Sequence, residues 1–252
     1  GSLSTIRRGR PWPLGSSITA DGVNFSVAAP GANRVELLIF STGEASSPEQ
    51  LIDLHDSDHR SGDYWHVEVE GLKAGCCYGY RVFGPLAPGG HGFRPAKVLM
   101  DPCARAIAGW STYRREAATG VSPNSHCCLK GVVCERDRFD FAAHPRPRHS
   151  WQKTVIYELH VGGFTLRSDS DVSPARQGSL LGVIDKIPHL KQLGITTIEL
   201  LPVQAFDPQD APPGRDNVWG YSPLSWFAPH QGYISGDDPL KARDQMRELV
   251  AA

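Results

Sequence analysis

Two short stretches decide the fold: Thr154-Val-Ile-Tyr-Glu-Leu-His-Val-Gly-Gly-Phe164 and Ile195-Thr-Thr-Ile-Glu-Leu-Leu-Pro-Val-Gln-Ala-Phe206. Both read as almost wholly apolar strands. Neither shows the strict in-and-out alternation of a half-exposed strand, so both suit a sheet covered on its two faces, as parallel strands usually are. Between them, Leu180 to Leu193 reads as a helix. Its Leu181, Ile184, Ile187, Leu190 and Leu193 recur three apart near one face, and Gly194 stands where a C-cap belongs. Strand, helix and strand make one βαβ unit. Beyond the second strand a long polar loop leads to Asn217-Val-Trp-Gly-Tyr-Ser-Pro223. Loops past the C-terminal ends of strands hold ligands in such architectures, so this loop is the candidate substrate site.

The chain has 252 residues, enough for one large or two modest domains with an apolar core. Its formal net charge is −1, with Lys and Arg scattered, which gives no electrostatic case for nucleic acid or for an anionic membrane. No run approaches the roughly 18–20 apolar residues of a membrane span, and the first residues lack a signal-peptide pattern. The six cysteines (Cys76, Cys77, Cys103, Cys127, Cys128, Cys134) include two adjacent pairs and no zinc-type spacing. They read as reduced thiols, and the expected location is the cytoplasm or a plastid stroma.

Upstream, Val23–Val27 alternates with period two, and Val35–Phe40, Tyr64–Val69 and Cys77–Phe83 read as three further strands separated by turn residues. Close strands with little helical periodicity predict an antiparallel sandwich over residues 1–108, immunoglobulin-like in class. Residues 109–150 read as an irregular connector with one short strand at Gly131–Cys134. It holds histidines at 126, 144 and 149; for His144 to His149 the prolines leave no helical face and no carboxylate is close, so no metal is expected. The last helix starts near Pro239 and carries no stop signal, so the chain is expected to end inside an element.

Several blocks in order resemble the N-terminal part of an isoamylase-type glycogen or starch debranching enzyme of glycoside hydrolase family 13. They are Pro13-Leu-Gly15, Gly22–Val27, Val35–Phe40, Tyr78–Pro85, Gly92–Lys97, Leu99–Pro102, Val155–Val161, Ile187–Leu190, Glu199–Val203 and Trp219–Pro223. The resemblance implies a family 48 carbohydrate-binding module followed, over 151–252, by the first two βα units of a (β/α)8 barrel. It implies branched α-glucans as substrate and no cofactor, and it leaves oligomeric state open. One departure is Gly162, where debranching enzymes carry Arg; His160-Val-Gly-Gly-Phe164 leans towards branching enzymes and maltooligosyl-trehalose trehalohydrolases. A non-catalytic glucan-binding or regulatory module is the other alternative.

Retaining glycoside hydrolysis needs two carboxyl groups about 5–5.5 Å apart, one nucleophile and one acid of raised pKa. A complete barrel takes about 250 residues, and the family's next block, Asp-Val-Val-x-Asn-His, does not occur. The nucleophilic Asp, the acid Glu and the third Asp are therefore expected beyond Ala252, and no catalytic residue is assigned. Glu158 and Glu199 read as structural polar residues of the barrel wall, and Asp207, Asp210 and Asp216 as solvated. By resemblance Tyr221 stacks on a sugar ring, with Trp219 beside it as a second substrate-binding residue; a flat ring suits the C–H face of a pyranose. Trp226 and Phe227 are expected to pack the barrel top. Trp65 is open between a glucan platform and a core residue.

Overall fold

A computed structural model describes residues 4–85, 92–135 and 139–252. The chain divides into two compact units, residues 1–136 and 137–252, each closed around its own apolar cluster.

The first unit is a sandwich of two antiparallel sheets. One runs β1 (Ile6–Arg7), β7 (Tyr64–Glu70), β3 (Gly22–Ala28), β2 (Gly15–Ile18), with β6 (Arg60–Ser61) also pairing β7. The other runs β5 (Gln50–Leu54), β4 (Arg34–Phe40), β8 (Cys77–Phe83), β10 (Lys130–Val132), β9 (Ile107–Ala108). Period-two patterning turns Val23, Phe25 and Val27 of β3 and Trp65, Val67 and Val69 of β7 towards Val35, Leu37, Ile39, Tyr78, Tyr80 and Val82 of the opposite sheet. Phe25 and Tyr78 meet edge-on at 4.9 Å between ring centroids. Trp65 is 0% exposed, which settles it as core rather than platform. Helical turns α1 (Asp56–His59) and α2 (Arg115–Thr119) lie in the connections.

The sandwich does not stop near Ile107. β10 pairs with both β8 and β9, and Tyr113, Asn124, Cys127 and Cys128 of the expected connector are buried. This stretch looked irregular because polar side chains, not an apolar stripe, fasten it. Asn124 accepts from Val98 N–H at 2.7 Å and donates to Val98 C=O at 3.2 Å. Lys97 reaches the carbonyls of Ala117 and Ser122. Lys130, fully buried, donates to Gly43 C=O at 2.6 Å and lies 4.7 Å from the Phe40 ring centroid.

The second unit holds β11 (Ile156–Leu159) and β12 (Thr197–Leu200), paired in parallel from Ile156↔Thr197 to Leu159↔Leu200. Both strands are shorter than the sequence suggests: His160 ends β11 by capping the turn α3 (Val161–Phe164). The expected single helix is two, α4 (Leu180–Asp185) and α5 (Ile187–Gln192). Pro188 has no N–H to bond the Ile184 carbonyl, so the helix breaks at Lys186. The break also changes the buried face, which is Leu180, Val183 and Leu190, while Leu193 is 56% exposed. Gly194, at φ +82°, ends α5 with Gly194 N–H on Lys191 C=O and Ile195 N–H on Leu190 C=O, a complete Schellman motif. The terminal helix α6 (Lys241–Ala251) packs beside α4 and adds Met246 and Leu249 to the core.

The parallel pair is covered on one face, not two. Tyr157, Leu159, Ile198 and Leu200 meet the helices through the core cluster. The alternate residues Ile156, Glu158, Thr197 and Glu199 are exposed. The alternation was present in the sequence but hidden, because Ile156 and Thr197 sit on the open face among the two glutamates.

Candidate functional site

The loop after β12 is pinned before it projects. Asp207 donates its N–H to Ser222 C=O at 2.9 Å and accepts the Asn217 side-chain amide at its own C=O at 3.1 Å. Phe206 bridges Pro223, and Gln204 bridges Pro229. Asn217 N–H donates to Pro208 C=O, and its Oδ1 accepts the Gly220 N–H at 3.2 Å. Asp207 was expected to be solvated; it is 0% exposed, because its backbone forms the base of the loop and its Oδ1 accepts the Gln209 N–H. Asp210 accepts a hydrogen bond from the Ser222 hydroxyl, and Asp216 is exposed.

Gly220 turns the tip at φ +84°, a left-handed geometry that favours glycine. A Cβ there would lie 3.1 Å from Phe206, the Pro202 ring and the Pro202 carbonyl. The residues on either side, Trp219 and Tyr221, are 62% and 69% exposed. The tip thus presents two aromatic residues on a fixed backbone. Trp226 and Phe227, expected to pack, are also exposed and flank a cleft of about 180 Å³ with Val203, Gln204, Pro229 and Met246. No described element lies over them.

Three residues near the loop escaped the sequence reading. His160, at the C-terminal end of β11, accepts the Gly163 N–H at Nδ1 (2.9 Å), so the neutral ring carries its proton on Nε2. Nε2 lies 2.6 Å from Val218 C=O and 3.0 Å from the Tyr233 hydroxyl oxygen. His230 stacks on Phe206 with centroids 3.7 Å apart, and Tyr233 meets it edge-on at 5.0 Å. Burial pushes the His230 pKa down to about 4. The one sequence signal was position: His160 stands where an apolar strand run ends, the place from which such folds present polar side chains.

The parallel register sets Glu158 opposite Glu199 on the open face. Neither side chain makes a hydrogen bond or ion pair among the described residues. No three His, Cys, Asp or Glu side chains converge as a metal site among the described residues.

Residues 13–104 match carbohydrate-binding module 48, the isoamylase N-terminal domain. Over 267 aligned positions, 99% of this chain, the sequence is 39% identical to the glycogen debranching enzyme of Klebsiella pneumoniae (strain 342), of which it covers 38%. The chain therefore spans well under half the length of this curated relative. Among solved structures, apo pullulanase from Paenibacillus barengoltzii is similar at a TM-score of 0.71 and 20% identity, over 97% of this chain and 36% of that one. The catalytic module of the glycogen-degrading pneumococcal virulence factor SpuA gives 0.69 at 20% identity, with the same two coverages. At such identities these two likenesses describe the fold. The chain is thus similar along nearly all of its length to part of a glycogen debranching enzyme, and its residues 13–104 match carbohydrate-binding module 48.

Proposed function

We propose that this chain is the N-terminal part of a glycoside hydrolase that cleaves α-1,6 branches in glycogen-like glucans. The observation that carries the reading is the 39% identity to a glycogen debranching enzyme along 99% of the chain. In this reading the second unit supplies the first two βα units of a (β/α)8 barrel. The loop past β12 lies at the barrel's C-terminal end, where such folds bind substrate. Tyr221 stacks on a glucose ring and Trp219 extends the aromatic surface; their exposure on a pinned backbone supports this role. The six free thiols suit a reducing compartment, the cytoplasm.

In this reading the nucleophile and acid are supplied by other residues of the protein, and residues 1–252 by themselves release no sugar. The test uses the protein in the full length its gene encodes, incubated with glycogen limit dextrin. Linear maltooligosaccharides without transfer products are expected. New branches in amylose, trehalose release, or no product would overturn the assignment. Reducing ends released from amylopectin by residues 1–252 alone would overturn the stated division of labour.

A further inference from the structure

We infer that His160 and Tyr233 are positioning residues that lock the Trp219–Tyr221 tip in its sugar-stacking pose; this rests on the reading of Tyr221 given above. The contacts form a closed circuit that leaves the loop at residue 218 and returns at residue 220. Val218 C=O receives the His160 Nε2–H at 2.6 Å, and Tyr233 brings its hydroxyl to within 3.0 Å of the same nitrogen. The Tyr233 ring meets His230 at 5.0 Å, and His230 stacks on Phe206 at 3.7 Å. Phe206 and Pro202 close the space beside Gly220. Trp219 and Tyr221 stand on the two sides of that second anchor.

The circuit answers a physical problem. An exposed aromatic side chain gains little from stacking on a sugar if the loop must be ordered at the same moment, because ordering costs about 1–2 kcal/mol per residue. A backbone held at 218 and 220 has met that cost beforehand. His160 serves two purposes with separate atoms: Nδ1 accepts the Gly163 N–H and holds the turn after β11, while Nε2 holds the loop. These can be separated by substitution. Asn places an acceptor at the Nδ1 position but cannot reach Val218. Gln reaches the Nε2 position with an N–H donor and gives up the cap.

The experiment measures maltotetraose affinity and amide hydrogen exchange over residues 217–222 in the wild type, His160→Asn, His160→Gln and Tyr233→Phe. His160→Asn is expected to weaken maltotetraose by about ten-fold, one lost hydrogen bond to a positioned carbonyl, and to speed exchange in 217–222. His160→Gln should stay within a few-fold of wild type on both readouts. Tyr233→Phe should speed exchange without unfolding the unit. If His160→Asn matches wild type in both, or if Gln fails where Asn succeeds, the side chain acts through its cap and the inference is wrong. If wild type binds no maltotetraose while exchange in 217–222 still follows the variants as described, the clamp stands and the assignment of Tyr221 to sugar falls instead.

Discussion

Trp65 carries the sharpest test of the sandwich. Its side chain is fully buried between the sheets, with the Arg60 guanidinium 5.0 Å from its ring centroid, yet its indole N–H has no acceptor among the described residues. Two effects of opposite sign can therefore be separated. Trp65→Ala removes the whole ring and should cost about 3–5 kcal/mol, which for a unit of this size lowers the melting temperature by roughly 10–20 °C. Trp65→Phe leaves a smaller void costing about 1–2 kcal/mol, but it also deletes a buried, unsatisfied donor whose burial costs about 1–3 kcal/mol. The net change should lie within about 1 kcal/mol of zero. Urea unfolding, followed by hydrogen exchange of the β3 and β7 amides, reports on the sandwich alone. Migration in native gels containing glycogen should be the same for Trp65→Phe and wild type. A cost below about 1 kcal/mol for the alanine variant would mean that the ring is not core. A phenylalanine variant as damaged as the alanine one would mean that the indole N–H is hydrogen-bonded in solution.

Burial holds the His230 pKa near 4, against 6.5 for the free side chain. The unfolded chain thus takes up a proton below pH 6.5 that the folded unit refuses until pH 4. This contribution to stability is complete above pH 6.5 and lost progressively down to pH 4, by up to about 3 kcal/mol. His230→Asn should flatten the fall in second-unit stability over that window, and an unchanged slope would refute it. Gly220→Ala places a Cβ in a left-handed conformation worth about 1–2 kcal/mol, offset by about 0.4–1 kcal/mol of lost unfolded-state entropy. With three contacts at 3.1 Å added, hydrogen exchange in 217–221 should accelerate; a more protected loop would contradict the geometry. Burial raises the Cys76 thiol to about 12 and Cys77 to about 11. At pH 8 both should resist a maleimide until urea is added, as read by peptide mass mapping, and rapid labelling of Cys77 in the native chain would count against the packing.

The sandwich strands were legible where period-two alternation met turn residues: Val23–Val27, Val35–Phe40, Tyr64–Val69 and Cys77–Phe83 fall within β3, β4, β7 and β8. β2 was not legible, because Gly15-Ser-Ser-Ile18 carries almost no apolar signal and is placed by its pairing with β3. β9 and β10 were missed as sandwich strands for a related reason. Their neighbours are anchored by Lys97, Asn124 and Lys130, whose side-chain bonds to backbone leave no periodicity in a sequence. In the second unit the parallel pair was readable, but the helix break at Pro188 was overridden by the run of leucines and isoleucines. Of the candidate site, the aromatic tip could be named. The residues that hold it lie 58 and 73 positions apart from their partners in the chain, a separation local pattern does not reveal.

The pairing of β10 with β8 also decides where the molecule can be divided. A cut after Ala108 would pass through a hydrogen-bonded sheet, not through a tether. It would bare the Cys77–Tyr78 end of β8, while Tyr80 stays bridged to Leu99, and remove the buried Tyr113, Cys127 and Leu129. Raw margins of this kind recruit strands from other molecules. A glucan-binding assay on such a piece would report aggregation before it reported sugar, whereas a piece ending at residue 136 keeps the sheet whole.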